Sequence, residues 1–350
     1  MNANVGFPPA TGGRTMPLDP ILLMGGSGAI GRQTAQSLRA AYPDLPLLIG
    51  GRDLAKAQST AAEIGGAEGV VIDPTRGDLG LSERQVSAVA VFYMDHSIAG
   101  LRFAQARGVP HLSISSGVFE IAPEIAAFMH TPNAAAVVLG YEWLVGATTV
   151  PALELAKAFS RVHEIRIGAL VDEEDAGGPA VAADFEHLNK MLPAALTRKD
   201  GVYVWRAGDD AKAVFRAIDG TEIQATGFSS IDVVGLATAT GARSVEFNLG
   251  SGVSSSRRAG HGLSTEIIIE LNGEDHSGQQ LSTRHAVFHP EGAAPLTAIG
   301  VSLILDRLVG LDGKPPTAPG LYFPYQVHDA AAYLARLERE GGRIMELQVP

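Results

Sequence analysis

Four clusters in this chain have residue types and spacing suited to chemistry. The first is Gly26, Ser27, Gly28, Ala29, Ile30 and Gly31, a G-x-G-x-x-G turn that follows the apolar run Ile21–Met24. Its first glycine allows a tight turn, its second lets backbone approach a pyrophosphate, and its third lets a helix pack against the strand. The amides that open the helix then face the phosphates, with the helix dipole behind them. Ser27 adds a hydroxyl. This is the chemistry of a dinucleotide site. The second cluster, Gly50-Gly51-Arg52, ends the apolar run Leu45–Ile49. An NAD site usually has Asp or Glu there for the ribose 2′-hydroxyl. Two glycines and a guanidinium suit a 2′-phosphate by room, charge and fork geometry. The expected cofactor is NADP(H), with NAD(H) second. Asp53 reads either as the ribose acid or as a helix cap. Asp73 either touches the adenine edge or starts the turn at Pro74.

The third cluster, Tyr93-Met94-Asp95-His96, ends the apolar run Val86–Met94. Ligands of parallel sheets sit outside the carboxyl ends of the strands. His96 and Asp95 are therefore the expected proton-handling pair, the acid raising the imidazole. Each has a second reading as a helix-cap partner. Tyr93 stacks on the nicotinamide or donates its hydroxyl. Ser115 and Ser116, at the end of the strand His111–Ile114, complete the cofactor contacts. The fourth cluster, Tyr141-Glu142-Trp143, ends the run Ala134–Leu139 and is expected to meet substrate; Trp143 also reads as a domain-interface packing residue. Arg257, Arg258 and His261 read as a carboxylate clamp or as solvated charges. His285 and His289 share a strand about 13 Å apart, too far for one metal. No metal site is expected. A nucleophile elbow, a P-loop lysine and the Tyr-x-x-x-Lys pair of short-chain reductases are all missing from the sequence.

These clusters work only if strand ends lie side by side. The alternation of apolar runs with the helices Ile30–Ala41, Leu54–Ile64, Ser97–Arg107 and the segment from Val150 predicts an α/β fold. Its first domain, residues 18–150, is a Rossmann doubly wound parallel sheet of six strands. Residues 151–295 read as an α+β substrate and dimerisation domain on a mostly antiparallel sheet. Its strands are Val162–Val171, Gly201–Arg206, Ala213–Ala217, Ile231–Leu236, Ser244–Leu249, Ser264–Leu271 and Gln280–His289, after a helix over Asp184–Leu196. Gly250–Gly262 reads as a mobile loop. In 296–350, a helix (Leu296–Leu311), an extended stretch (Gly313–Pro324), a helix (Val327–Arg339) and a short strand (Arg343–Gln348) are expected to return to the first domain. Residues 1–17 read as a flexible leader, with Met16 as an alternative start.

Composition narrows the function. A chain of 350 residues, 46% hydrophobic and 19% charged, suits two well-buried domains. A net charge of -11 without a basic patch argues against nucleic acid. The lack of cysteine removes disulfides, thiolate metal sites and the dehydrogenases that need a thiol. No membrane-length apolar run and no secretory leader are read, so a cytoplasmic protein with a small-molecule substrate is expected.

Three segments resemble the saccharopine dehydrogenase-like reductases: GGSGAIG with GGRDLAKA, VAVFYMDHSIAGLRFAQARGVPHLSISS, and LGYEWLVGATTVPALELAKAF. The likeness covers the nucleotide domain and its linking helix; beyond them it is one of layout. It implies NAD(P)-dependent hydride transfer to an imine carbon, or the reverse oxidation of a secondary amine. The Asp-Pro often found in that family's linking turn is Glu142-Trp143 here, so the protein is not expected to be saccharopine dehydrogenase proper. By analogy the second sheet forms a homodimer. The alternative expectation is an NADP(H)-binding sensor or scaffold without turnover.

Overall fold

The fold is that of a computed structural model, which describes residues 18–115, 121–175, 186 and 194–349. The short apolar runs form strands β1 (Ile21–Met24), β2 (Leu47–Gly51), β3 (Ala67–Val71), β4 (Ala88–Val91), β5 (His111–Ser113) and β6 (Ala136–Leu139). They lie parallel in the order β3-β2-β1-β4-β5-β6. Every residue of β1, β4 and β6 is buried, as a sheet covered on both faces requires. The connections carry helices α1 (Ala29–Ala41), α2 (Leu54–Ile64), α3 (Ala99–Arg107) and α4 (Ile121–His130). The chain reverses its winding between β1 and β4, so a crevice opens at their carboxyl ends.

Helix α5 (Thr149–Ala156) leads into the second sheet. Its strands are β7 (Phe159–Asp172), β8 (Ala194–Lys199), β9 (Val202–Ala207), β10 (Lys212–Arg216), β11 (Glu222–Gly227), β12 (Ser244–Gly252), β13 (Thr265–Asp275) and β14 (Gln280–His289). All their pairings are antiparallel except β12 with β7. Three expectations are corrected. The run expected as strand Ile231–Leu236 is helix α6 (Asp232–Thr240): Val233, Leu236 and Ala237 are buried at helical spacing, and Gly241 ends it in the left-handed region. Of the helix expected over 184–196, only Glu186 and Ala194–Leu196 are described, and the last three open β8. The loop expected to be mobile at 250–262 is tied down. It contains α7 (Ser255–Arg258), capped by Ser254; Arg257 pairs with Asp172 at 2.8 Å and Arg258 with Asp219 at 2.7 Å.

The chain then returns through α8 (Ala293–Val309), β15 (Gly320–Tyr322), α9 (Pro324–Val327), α10 (Ala330–Arg339) and β16 (Arg343–Glu346). The extended stretch supplies β15 as a seventh parallel strand on the open edge of β6. β16 adds to β14 in the other sheet. Helix α8 joins the two cores. Its Leu296 and Ile299 pack with Phe247 and Ile267, while its Val301, Ile304 and Leu305 pack with Leu23, Ile49 and Ala90.

Candidate active site

The glycine turn follows from its contacts. β1 ends at Met24, and Gly25 turns the chain at φ +84°. The Gly26 amide donates to the Leu23 carbonyl at 3.0 Å, and that of Gly28 to Gly25 at 2.9 Å. A Cβ on Gly31 would stand 2.7 Å from Gly26 Cα, so α1 sits directly on the turn. Gly28 is the N-cap of α1 and offers no side chain to it. The first-turn amides and the positive end of the dipole thus face the crevice without a capping acceptor. The Ser27 hydroxyl is buried and has no hydrogen-bond partner. This set of donors fits a dinucleotide diphosphate.

At the end of β2, a Cβ on Gly50 would meet Ile72 at 2.8 Å, whereas Gly51 has open space around it. Arg52 is exposed beside that space. Asp53 caps α2 by accepting the Lys56 amide at 3.1 Å. Asp73 lies two residues past β3 and accepts the Thr75 hydroxyl at 2.6 Å and its amide at 3.0 Å, which hold its carboxyl below the usual range. Of these acids, Asp53 closes a helix and Asp73 closes a turn.

At the end of β4 the Tyr93 ring lies against the turn, its Cδ1 3.0 Å from where a Cβ on Gly25 would stand. Burial pushes its phenol up to about 12; the Asp95 charge adds to this and Arg52 opposes it. Tyr93 therefore stays a donor. Both Asp95 oxygens are engaged at the start of α3, by the Ser97 amide (3.2 Å) and hydroxyl (2.7 Å) and by the Gly100 amide (2.9 Å). His96 is exposed between them. Ile98, β-branched, is held left-handed at φ +47°, a strained conformation of the kind that gathers at functional loops. Ser115 is half-buried just beyond β5, and Ser116 lies outside the described residues. His111 on β5 is buried below Gly100, and burial brings its imidazole down to about 4, so it is neutral.

At the ends of β5 and β6 the expected Tyr141 joins two residues that escaped the sequence reading, Ser113 and Glu124. The Ser113 hydroxyl donates to Glu124 at 2.8 Å, the Tyr141 hydroxyl donates to the other Glu124 oxygen, and the two hydroxyls meet at 2.5 Å. All three side chains are buried. Burial raises the Glu124 carboxyl, and the hydrogen bonds from Tyr141 and Ser113 oppose that rise. The apolar spacing of Ile121, Ile125 and Phe128 was the signal for α4, which presents Glu124.

Glu142 and Trp143 are placed elsewhere, in the buried junction between the sheets. Glu142 accepts the Tyr325 amide at 3.3 Å and the Thr149 hydroxyl. Asp232 accepts the Trp143 amide at 2.7 Å. Burial raises both carboxyls; the Asp232 charge adds to the rise at Glu142, and hydrogen bonds from Ser230 and the Trp143 amide oppose it at Asp232. The Trp143 ring packs edge-on to Phe228 at 5.4 Å. Among the described residues, no group of three His, Asp or Glu could hold a metal, and no helix is long and apolar enough to cross a membrane.

Neither a family model nor a curated protein matches the chain. Solved structures do. Apo saccharopine dehydrogenase (L-Glu forming) from Saccharomyces cerevisiae is similar over 94% of this chain and 100% of that one, at 14% identity and a TM-score of 0.61. Homospermidine synthase from Legionella pneumophila, in complex with NAD, is similar over 95% of this chain and 92% of that one, at 9% identity and a TM-score of 0.63. Identities this low establish a shared fold. The class is thus defined: a Rossmann sheet joined to a second, mixed sheet. Within that class the chain has the fold of the saccharopine dehydrogenase-like NAD(P) oxidoreductases.

Proposed function

We propose that the protein is an NADPH-dependent oxidoreductase that reduces a C=N bond, or a related carbonyl-derived group, of a small molecule. One observation carries the reading. An uncapped helix start and an orphaned Ser27 hydroxyl meet at the β1/β4 switch point, one strand away from open space at Gly51 and the exposed Arg52. The amides of α1 and Ser27 hold the diphosphate. Arg52 holds the 2′-phosphate by a charge-assisted fork. Tyr93 flanks the turn and excludes water from it. When bound, the nicotinamide supplies the hydride.

The carbon that accepts hydride leaves its nitrogen or oxygen in need of a proton. The Ser113–Tyr141–Glu124 ring supplies it, with Tyr141 as donor and the buried Glu124 carboxyl behind it. His96 stands exposed beside Asp95. Two carboxylate oxygens committed to backbone make Asp95 a positioning residue. That same commitment is the one observation favouring the alternative, a sensor that binds NADPH without turnover. We extend the reading to a homodimer across the second sheet, whose terminal strand β10 exposes Val214; light scattering that returns a monomer mass ends that extension.

The test is absorbance at the nicotinamide band over a panel of aldehydes and keto acids with amines. Oxidation of NADPH that depends on both partners is expected; binding without oxidation favours the sensor. Arg52→Ala should weaken NADPH by tenfold or more, in line with about 1.5–3 kcal/mol for a charged hydrogen bond, and leave NADH nearly unchanged. Equal loss for both cofactors would remove the 2′-phosphate assignment.

A further inference from the structure

The phenol read above as the proton donor has apolar company. Tyr141 and Ile231 belong to one cluster, against which Ile98, Ile121, Val234 and Phe323 pack. These last four are half-buried, so each keeps part of its side chain outside the packed core. Ile98 is the N-cap of α3, Ile121 opens α4, Val234 comes from α6, and Phe323 follows β15. Separate segments thus bring apolar side chains to the carboxyl edge of the first sheet, beside the crevice.

Ile98 is placed there under strain. It is β-branched and left-handed at φ +47°, ψ +33°. The turn around it is over-determined. Its amide donates to the Asp95 carbonyl at 2.9 Å, and the Asp95 carboxylate accepts the amides of Ser97 at 3.2 Å and Gly100 at 2.9 Å. Glycine or asparagine would take this conformation at less cost. Strain that the surroundings enforce gathers where a side chain has a task. Here that side chain is wholly apolar.

The two arginines whose spacing suits a carboxylate clamp are spent. Arg257 pairs with Asp172 at 2.8 Å and Glu174 at 2.9 Å, and Arg258 with Asp219 at 2.7 Å. A carboxylate pressed among Ile98, Ile121 and Val234 would lose water and gain no partner. An alkyl group gains by the same transfer.

We propose that the substrate carries an uncharged alkyl group next to its reducible carbon, that this group sits against Ile98, Ile121 and Val234, and that Ile98 sets the preference for it. The proposal rests on the oxidoreductase reading, with Tyr141 as donor.

The test is calorimetric titration of the full chain, with NADPH present, by 4-methylpentanamide and by succinamate. Both amides are unreactive stand-ins for the reducible group, and they differ in having an isopropyl or a carboxylate at the far end. Saturable binding of 4-methylpentanamide is expected, at least tenfold tighter than succinamate. Ile98→Asn accepts left-handed backbone. It should weaken 4-methylpentanamide at least fivefold, leave succinamate unchanged and keep the thermal midpoint at or above that of the parent. Val234→Thr, which keeps the shape and adds a hydroxyl, should weaken 4-methylpentanamide at least threefold and decides alone if Ile98→Asn does not fold. Equal or tighter binding of succinamate, no saturable binding of 4-methylpentanamide, or its full affinity in a folded Ile98→Asn or in Val234→Thr overturns the proposal. Neither amide is reduced, so binding is read apart from turnover. NADPH oxidation with keto acids, at equal affinity for the two amides, removes the alkyl preference and leaves the oxidoreductase reading. Preference for 4-methylpentanamide without NADPH oxidation on any substrate leaves the alkyl site and removes the reduction.

Discussion

Asp95 shows how one carboxylate can be read twice at the residue scale. Its position after an apolar strand suits proton transfer, but its contacts are those of a cap. Removal of a cap costs about 0.5–2 kcal/mol. Asp95→Ala should therefore lower the thermal midpoint while leaving the pH profile of turnover in place. A lost profile limb at unchanged stability would make Asp95 chemical. Gly31→Ala is harsher, because its Cβ would meet backbone at 2.7 Å and no rotamer can relieve it. Nucleotide binding, followed by NADPH fluorescence, should be abolished. Such glycines were legible because each answers to a local backbone demand. Ser113 and Glu124, which join the expected Tyr141, were not, because their ring links one strand, a helix and the end of another strand.

The decisive element is the junction from Glu142 to Gly146. Leu144 and Val145 are left-handed at φ +50° and +56°, which costs L-residues about 1–2 kcal/mol each. The Val145 amide donates to the Glu142 carbonyl at 2.9 Å, and the His328 Nε2 donates to the Val145 carbonyl at 3.1 Å. The buried Glu142–Asp232 pair fixes the same turn. Both carboxyls are raised on folding, so their contribution is full below the unfolded carboxyl range and is lost as pH rises through the raised folded values. Asp172 runs the other way: held down to about 2, it stabilises above the unfolded value and fails only as pH falls toward 2. Glu142→Gln keeps the accepted Tyr325 amide bond, and the Thr149 hydroxyl can reverse its role. The variant should thus flatten the fall in melting temperature as pH rises above the ordinary carboxylate range. A slope unchanged from the parent would show that the pair does not titrate there. The junction's sequence could not reveal this, since Asp232 arrives from a helix that reads equally well as a short apolar strand.

At the scale of the molecule, the return of the chain is what makes two sheets one fold. β15 extends the first sheet, β16 extends the second, and α8 packs into both cores. The Pro- and Gly-rich stretch before α9 hid β15, because a strand of three residues on an open edge takes its order from β6 and not from its own apolar pattern. The two ends of this return should differ in consequence. Deleting 343–350 removes only an edge strand, so cooperative melting should persist at a lower midpoint, with NADPH affinity intact. Deleting 312–350 also removes α10, whose Tyr333 and Leu337 are 0% and 1% exposed in the second core, and the strand that covers β6. The loss of that much buried apolar surface exceeds the usual margin of a domain. Circular dichroism should show the longer deletion melting without cooperativity, and nucleotide binding should go with it. A cooperative, nucleotide-binding product would mean that the first sheet closes its core without the returning chain, and that α8 joins two units that already stand alone.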